Sequence, residues 1–130
     1  MSKTVISTDS APAAIGPYSR AVRIDDLVFL SGQIALDPET MELVSEDFAE
    51  QVRQIFKNPR AVATAAGGSL DHLVKVNLYL TDLANFQTVN QVMEEFFAAP
   101  YPARAAVGVA DLPRGAAVEA EAVMAVPGAG

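Results

Sequence analysis

The chain has 130 residues, of which 51% are hydrophobic and 19% are charged, and its formal net charge at pH 7 is −7. This length suits one compact domain over residues 1–130. Without cysteine the chain can form no disulfide, no thiolate zinc site and no cysteine nucleophile, and the single histidine, His72, cannot build a histidine metal site alone. We expect His72 to be an exposed loop residue.

The distribution of charged and apolar residues also bears on possible partners. Nine lysines and arginines are scattered without forming a basic stripe, which argues against nucleic acid as the main partner. No apolar run approaches the ~20 residues of a membrane span, and the N-terminus has no apolar core of signal-peptide length. We therefore expect a soluble cytoplasmic protein with no membrane partner. The high hydrophobic content favours a buried subunit interface.

The first third of the chain is predicted to contain three strands. The segment KTVIS (3–7) is typical of a short strand, and TDSAPAAIGPY (8–18) is a loop because its prolines and glycine oppose regular pairing. The segments SRAVRI (19–24) and LVFLSGQI (27–34) are two further strands, which Asp25 and Asp26 can join as a tight hairpin.

A first helix is predicted to begin near Ser45, which can cap it, and to end at Gly67 and Gly68. Pro59 removes one backbone hydrogen bond inside this helix and is expected to kink it. The apolar stripe follows the helical period. It consists of Phe48, Val52, Ile55, Phe56, Val62, Ala63 and Ala66.

The remaining elements alternate between strand and helix before ending in two strands. LVKVNLYL (73–80) alternates, with Val74, Val76, Leu78 and Leu80 on one side. A second helix follows Asp82, and ARAAVGVA (103–110) and AVEAEAVMAV (117–126) are the last strands. The apolar stripe of the second helix consists of Phe86, Val89, Met93, Phe96 and Phe97. The order βββαβαββ predicts an α+β fold, a mixed sheet with two helices on one face.

Arg104 lies in a strand of small apolar residues, with no acid within three positions. A buried cation needs a partner. The alternation places Arg104 on the sheet face away from the helices, with Glu119 on a neighbouring strand and with Ser31 and Gln33 beside Phe29 on the same face. One interpretation is a structural cross-strand ion pair. The other is a carboxylate-binding arginine beside a general base.

Two further polar residues have a structural and a functional interpretation. Asn90 falls in the apolar stripe of the second helix, where its amide either bonds a nearby loop backbone or contacts a ligand. Tyr18 follows Gly16 and Pro17 and is either a residue at the edge of the core or the wall of a pocket.

Four segments together resemble the RidA (YjgF, L-PSP endoribonuclease-like) family over about Lys3 to Val126. They are APAAIGPYSRAV (11–22), FLSGQIALDPET (29–40), AAGGSLDHLVKVNLYLTDLANFQTVN (65–90) and YPARAAVGVADLPRGAAVEAEAV (101–123). The resemblance implies a chorismate-mutase-like fold that assembles as a homotrimer, with a pocket at each subunit interface. It also implies a deaminase without a cofactor, which hydrolyses 2-iminopropanoate and 2-iminobutanoate to 2-oxo acids and ammonia.

Residue by residue, the resemblance assigns substrate-carboxylate binding to Arg104 and water handling to Glu119. It adds Ser31 with the adjacent Gly32, Tyr18 and Asn90 as further substrate-binding positions. Two departures from the family pattern are Pro59 in the first helix and Ala120 in place of a larger apolar residue. Two other functions stay open at this point, a binder of small 2-oxo acids with little turnover and, less favoured by the net charge of −7, an endoribonuclease.

Overall fold

The computed structural model describes residues 2–127 and contains two α-helices and a six-stranded sheet. The predicted order βββαβαββ is confirmed. The strands are β1 (Thr4–Ile6), β2 (Ala21–Ile24), β3 (Leu27–Ile34), β4 (Leu73–Leu80), β5 (Ala103–Gly108) and β6 (Val118–Ala125), and the helices are α1 (Phe48–Ala65) and α2 (Phe86–Phe96). None of the helices in the described part of the chain is long and apolar enough to cross a membrane.

The sheet is mixed, with the strand order β1-β2-β3-β6-β4-β5. All neighbouring strands are antiparallel except β4 and β5, which are parallel and are connected through α2. The last strand, β6, inserts between β3 and β4 and so occupies the middle of the sheet. As a result, β5 is an edge strand and has β4, not β6, as its neighbour.

The hydrophobic core lies between the two helices and one face of the sheet. Alternate residues of β4 and β6 are buried there, as the two-residue period predicts. The largest fully buried side chains are Phe56, Ile55, Leu78, Leu80, Met124, Val28, Val52, Val62, Val76, Val89, Val92 and Val118. The opposite sheet face, here called the open face, carries the exposed Leu27 and Phe29 and is not covered by a helix of residues 2–127.

Helix α1 begins two residues later than a Ser45 cap predicts, because its cap is Asp47. The Asp47 carboxylate accepts a hydrogen bond from the Glu50 amide at 3.0 Å, whereas the Ser45 hydroxyl accepts from the Asp47 amide at 2.9 Å and so forms the preceding turn. The helix continues through the buried Pro59 to Ala65. The predicted end at Gly67 is confirmed, since this residue takes the left-handed conformation with φ 86°.

Short 3₁₀ turns lie where the sequence predicted the start of α2 after Asp82 and a loop at His72. Asp82 caps a 3₁₀ turn, Leu83–Asn85, which leads into α2 at Phe86. His72 accepts a hydrogen bond from the Ser69 amide at 3.0 Å in a second 3₁₀ turn, Leu70–His72. His72 therefore has a structural role in a surface turn.

Two irregularities in strand pairing overturn predicted side-chain directions. The β4–β6 register shifts between Leu73 and Lys75, which leaves Val74 47% exposed on the side opposite to its predicted neighbours. The β3–β6 register shifts between Leu30 and Gln33, so Gln33 is buried and does not share the face of Phe29. Each extra residue in one strand reverses the alternation beyond it.

Candidate active site

Arg104 lies on β5, where its Cα is in register with that of Val76 on β4. Because Val76 is buried beneath the helices, the Arg104 side chain lies on the helix side of the sheet. There its Nη1 donates a hydrogen bond to Oδ1 of Asn90 at 2.6 Å and contacts Sδ of Met93 at 3.4 Å. Its Cζ also stands 4.8 Å from the centre of the Phe86 ring. Helix α2 therefore holds one edge of the guanidinium.

This position corrects the predicted relation between Arg104 and Glu119. The two residues are on opposite faces of the sheet, and β4 separates their strands. Strand spacing and register place their Cα atoms about 14 Å apart. No ion pair involving Arg104 is present within residues 2–127, so a cross-strand ion pair with Glu119 is wrong. The error arises because strands that are consecutive in the chain, β5 and β6, are not paired.

A cavity of about 500 Å³ adjoins the guanidinium. Within the described part of the chain no protein group accepts a hydrogen bond from Nε or Nη2 of Arg104. Two donors of the planar fork are therefore without a protein acceptor among residues 2–127, and bidentate carboxylate binding requires such free donors. The cavity, here called the Arg104 cavity, is lined by Gln87, Asn90, Met93, Glu94, Tyr101, Pro102 and Arg104.

Glu119 lies on β6 and projects from the open face. Its Cα pairs with those of Tyr79 on β4 and Ile34 on β3. It borders a second cavity of about 220 Å³, here called the Glu119 cavity. This cavity is lined by Pro12, Ala13, Ile15, Tyr18, Gly32, Gln33, Ile34, Leu36, Pro113 and Glu119. The mostly apolar lining partly shields a single carboxylate from water.

The surroundings of Glu119 favour its protonated form more than water does. Burial raises the pKa of Glu119, and the nearby charge of Glu121 raises it further. Among residues 2–127 no protein donor forms a hydrogen bond with its carboxylate. Glu119 is therefore a free carboxyl group with an elevated pKa in a cleft, as suits a group that exchanges protons with a ligand or water.

The bulge of β3 brings Gly32 against Glu119. A Cβ at position 32 would stand 2.6 Å from Oε1 of Glu119, so any residue other than glycine would displace the carboxylate. Ser31 instead anchors the preceding loop, since its hydroxyl donates to the carbonyl of Ser19 at 2.6 Å and its amide donates to that of Arg20 at 2.9 Å. These bonds hold the loop that carries Tyr18, which is 47% exposed at the mouth of the Glu119 cavity.

The six predicted site residues thus form two groups within one chain. Tyr18, Ser31, Gly32 and Glu119 lie together at the open face, whereas Arg104 and Asn90 lie together where β5 meets α2, with Arg104 exposed. Tyr101 also lines the Arg104 cavity, although the sequence did not single it out. Its position three residues before Arg104, next to Pro102, is the signal that could have identified it. No group of three or more potential metal ligands is found among residues 2–127.

The family model described as Endoribonuclease L-PSP matches residues 8–126. The chain belongs to this family, also known as RidA/YjgF. A member from Homo sapiens named 2-iminobutanoate/2-iminopropanoate deaminase is 46% identical over 121 residues, which cover 93% of this chain and 88% of the relative.

Solved RidA-family structures have the same fold. The crystal structure of RidA from the Antarctic bacterium Psychrobacter sp. PAMC 21119 superposes with a TM-score of 0.92 at 50% identity, covering 95% of this chain and 99% of the other. The crystal structure of E. coli TdcF with bound serine gives a TM-score of 0.90 at 40% identity, covering 94% and 98%. The predicted family and α+β fold are therefore confirmed.

Proposed function

We propose that this chain is an imine deaminase that hydrolyses 2-iminopropanoate and 2-iminobutanoate to the corresponding 2-oxo acids and ammonia. The observation that carries the proposal is the guanidinium of Arg104, which borders a cavity and whose Nε and Nη2 have no acceptor among residues 2–127. The deaminase name of the relative from Homo sapiens, 46% identical over nearly the whole chain, supports the reaction. The serine bound to TdcF supports a small ligand that carries a carboxylate.

We further propose that two copies of the chain complete each site, within a homotrimer. A small imino acid cannot touch both side chains in one chain, because Arg104 and Glu119 project from opposite faces of the sheet and their Cα atoms are about 14 Å apart. In contrast, the Glu119 cavity of one copy can meet the Arg104 cavity of another. Such a contact joins two different surfaces and closes into a ring when the rotation allows it. The open face supports an interface, because Leu27 and Phe29 expose 41% and 47% of their surface there.

In the proposed reaction Arg104 holds the substrate carboxylate and thereby fixes the imine carbon near Glu119. Glu119 accepts a proton from water while the water oxygen bonds to that carbon, and it passes this proton to the imine nitrogen, which gives a neutral carbinolamine. Glu119 then takes the hydroxyl proton of the carbinolamine and delivers it to the amino nitrogen as the C–N bond breaks and the C=O bond forms, so that ammonia leaves and Glu119 is again ionised. Water, imino acid, oxo acid and ammonia balance without any redox step.

The test follows 2-oxobutanoate formation after a threonine dehydratase has generated the imine in the presence of the protein. We expect Arg104→Ala to reduce the rate to that of the uncatalysed reaction, because the carboxylate loses its only fork of donors. Arg104→Lys keeps the charge without the fork, and we expect about 10- to 100-fold weaker kcat/KM.

Arg60→Ala is the matched control, because Arg60 also stands over a phenylalanine, 5.3 Å from the centre of the Phe96 ring, but away from both cavities. We expect it to retain wild-type activity. An Arg104→Ala variant as active as the wild type would contradict the proposal. Binding of 2-oxobutanoate by a wild-type protein that does not accelerate hydrolysis would identify a binder instead of an enzyme.

A further inference from the structure

Two glutamates of β6 share the open face but have different surroundings. Glu119 and Glu121 are two residues apart on one strand, so their Cα atoms are about 7 Å apart and their side chains project in the same direction. Glu119 has no hydrogen-bond donor within residues 2–127 and borders an apolar cavity. Glu121 lies in a polar cluster.

Two donors from β4 hold the carboxylate of Glu121. The Tyr79 hydroxyl donates to its Oε1 at 2.5 Å, and the Asn77 side-chain amide donates to the same oxygen at 3.2 Å. The register explains the geometry, because Asn77 is directly opposite Glu121 and Tyr79 is opposite Glu119. Tyr79 therefore extends from the position facing one glutamate to the carboxylate of the other, and the two donors fix the position of that carboxylate.

We propose that Glu121, fixed by Tyr79 and Asn77, is a positioning residue that keeps a negative charge beside Glu119 and so makes Glu119 a better proton acceptor and carrier. This inference rests on the proposed function of Glu119. It extends that function to Glu121, Tyr79 and Asn77, none of which lines the Arg104 cavity or the Glu119 cavity. A single carboxyl group that must accept a proton from water and return it to nitrogen works best when its pKa approaches the operating pH. Pairs of carboxyl groups in contrasting surroundings divide such roles.

The charged and titratable neighbours of Glu119 agree with this division. Burial is the first cause of its raised pKa and the charge of Glu121 is the second. Tyr79 has a raised pKa through its hydrogen bond to Glu121, burial and the charges of both glutamates. Strand β3 contributes the uncharged Gly32 and Ile34.

Two other titratable groups belong to loops around Glu119. Tyr18 lines the Glu119 cavity from the loop before β2. Arg114, in the 3₁₀ turn before β6, donates to the carbonyl of Met41 at 2.8 Å and is thereby held outside the cavity. Among the groups named, Glu121 is therefore the one whose charge acts on Glu119 from the same strand and face.

The direct test is Glu121→Gln with ¹³C-detected NMR titration of the Glu119 carboxyl group. The glutamine has the same shape, and its carbonyl can still accept from Tyr79. We expect the pKa of Glu119 to fall by about 0.5 to 1 pH unit, because the like charge of the neighbouring carboxylate is lost. The acid limb of the pH profile of kcat/KM should move to lower pH by the same amount. At a given pH on that limb, kcat/KM relative to its plateau should then be about three- to tenfold higher than in the wild type.

Glu121→Asp keeps the charge, and we expect the Glu119 pKa to return toward the wild-type value. Glu46→Gln is the control for net charge, because Glu46 is exposed ahead of α1, and it should leave the titration unchanged. An unchanged Glu119 titration in a folded Glu121→Gln protein would overturn the inference. The NMR readout does not need turnover, so a failed imine assay would count against the proposed function alone.

Discussion

The contact between Gly32 and Glu119 allows the position of the Glu119 carboxylate to be tested by adding one methyl group at residue 32. A Cβ at position 32 would approach Oε1 of Glu119 to 2.6 Å, and the carboxylate is the end of a flexible side chain that can move away. We expect Gly32→Ala to displace Glu119 and to lower kcat/KM by about 100-fold, because small misplacements of a reacting group are costly. The coupled imine assay measures this loss.

The same substitution should leave the protein folded. Gly32 is not among the glycines with positive φ, so alanine meets no backbone strain there, and the reduced freedom of the unfolded chain favours alanine by about 0.4–1 kcal/mol. A matched control is Gly115→Ala, where no atom lies within 4 Å of the new Cβ but φ is 70°. This control should lose stability and keep activity, the reverse pattern. Wild-type kcat/KM in Gly32→Ala would contradict the role of the close contact.

At the scale of the element, helix α1 positions β6 through one buried amide. The Gln51 side chain is 3% exposed, accepts a hydrogen bond from the Ala117 amide at 2.9 Å and donates one to the Ser45 carbonyl at 3.0 Å. Ala117 precedes Glu119 by two residues. Gln51→Leu should therefore cost about 1–3 kcal/mol of unfolding free energy, because it leaves two partly buried backbone groups without partners. Urea denaturation measures the change.

Gln91→Leu provides the comparison, because Gln91 lies on the exposed side of α2. Its unfolding free energy should stay within about 0.5 kcal/mol of the wild-type value. Equal stability of the two variants would show that the Gln51 hydrogen bonds do not hold the start of β6.

Periodicity along the sequence predicted the helices and strands but not how two of the strands are placed. The 3.6-residue stripe of α1 and the alternation of β6 mark faces that must be buried, and such signals are local. The face of Arg104 was wrong because it depends on which strands pair, a property of the parallel β4–β5 connection. The bulge before Gln33 was likewise invisible, because one extra residue leaves no mark in composition.

For the whole molecule, the division of the site into two groups predicts complementation between inactive variants. Arg104→Ala retains the Glu119 cavity, and Glu119→Gln retains the Arg104 cavity. In randomly mixed trimers of equal amounts, about one quarter of the sites should combine the intact half of each variant. Oligomers purified through both tags contain both variants, so one site in three is intact, and we expect them to recover about a third of wild-type activity in the imine assay.

Each variant expressed alone supplies the baseline, and sizing of the mixed sample shows whether mixed oligomers formed. Mixed trimers without activity would contradict a site shared between chains. The resemblance of four sequence segments predicted the six site residues and the trimer, but periodicity within one chain could not predict that Arg104 and Glu119 lie on opposite faces. That separation depends on the sheet order of the folded chain.

In the proposed trimer, the placement of Arg104 and Glu119 on opposite faces of one sheet also links turnover to concentration. Because the two halves of each site then belong to different molecules, specific activity falls on dilution once the ring dissociates. An oxo acid that touches both chains binds only the assembled form and shifts the dissociation midpoint to lower protein concentration. The product would then stabilise the assembly that makes it.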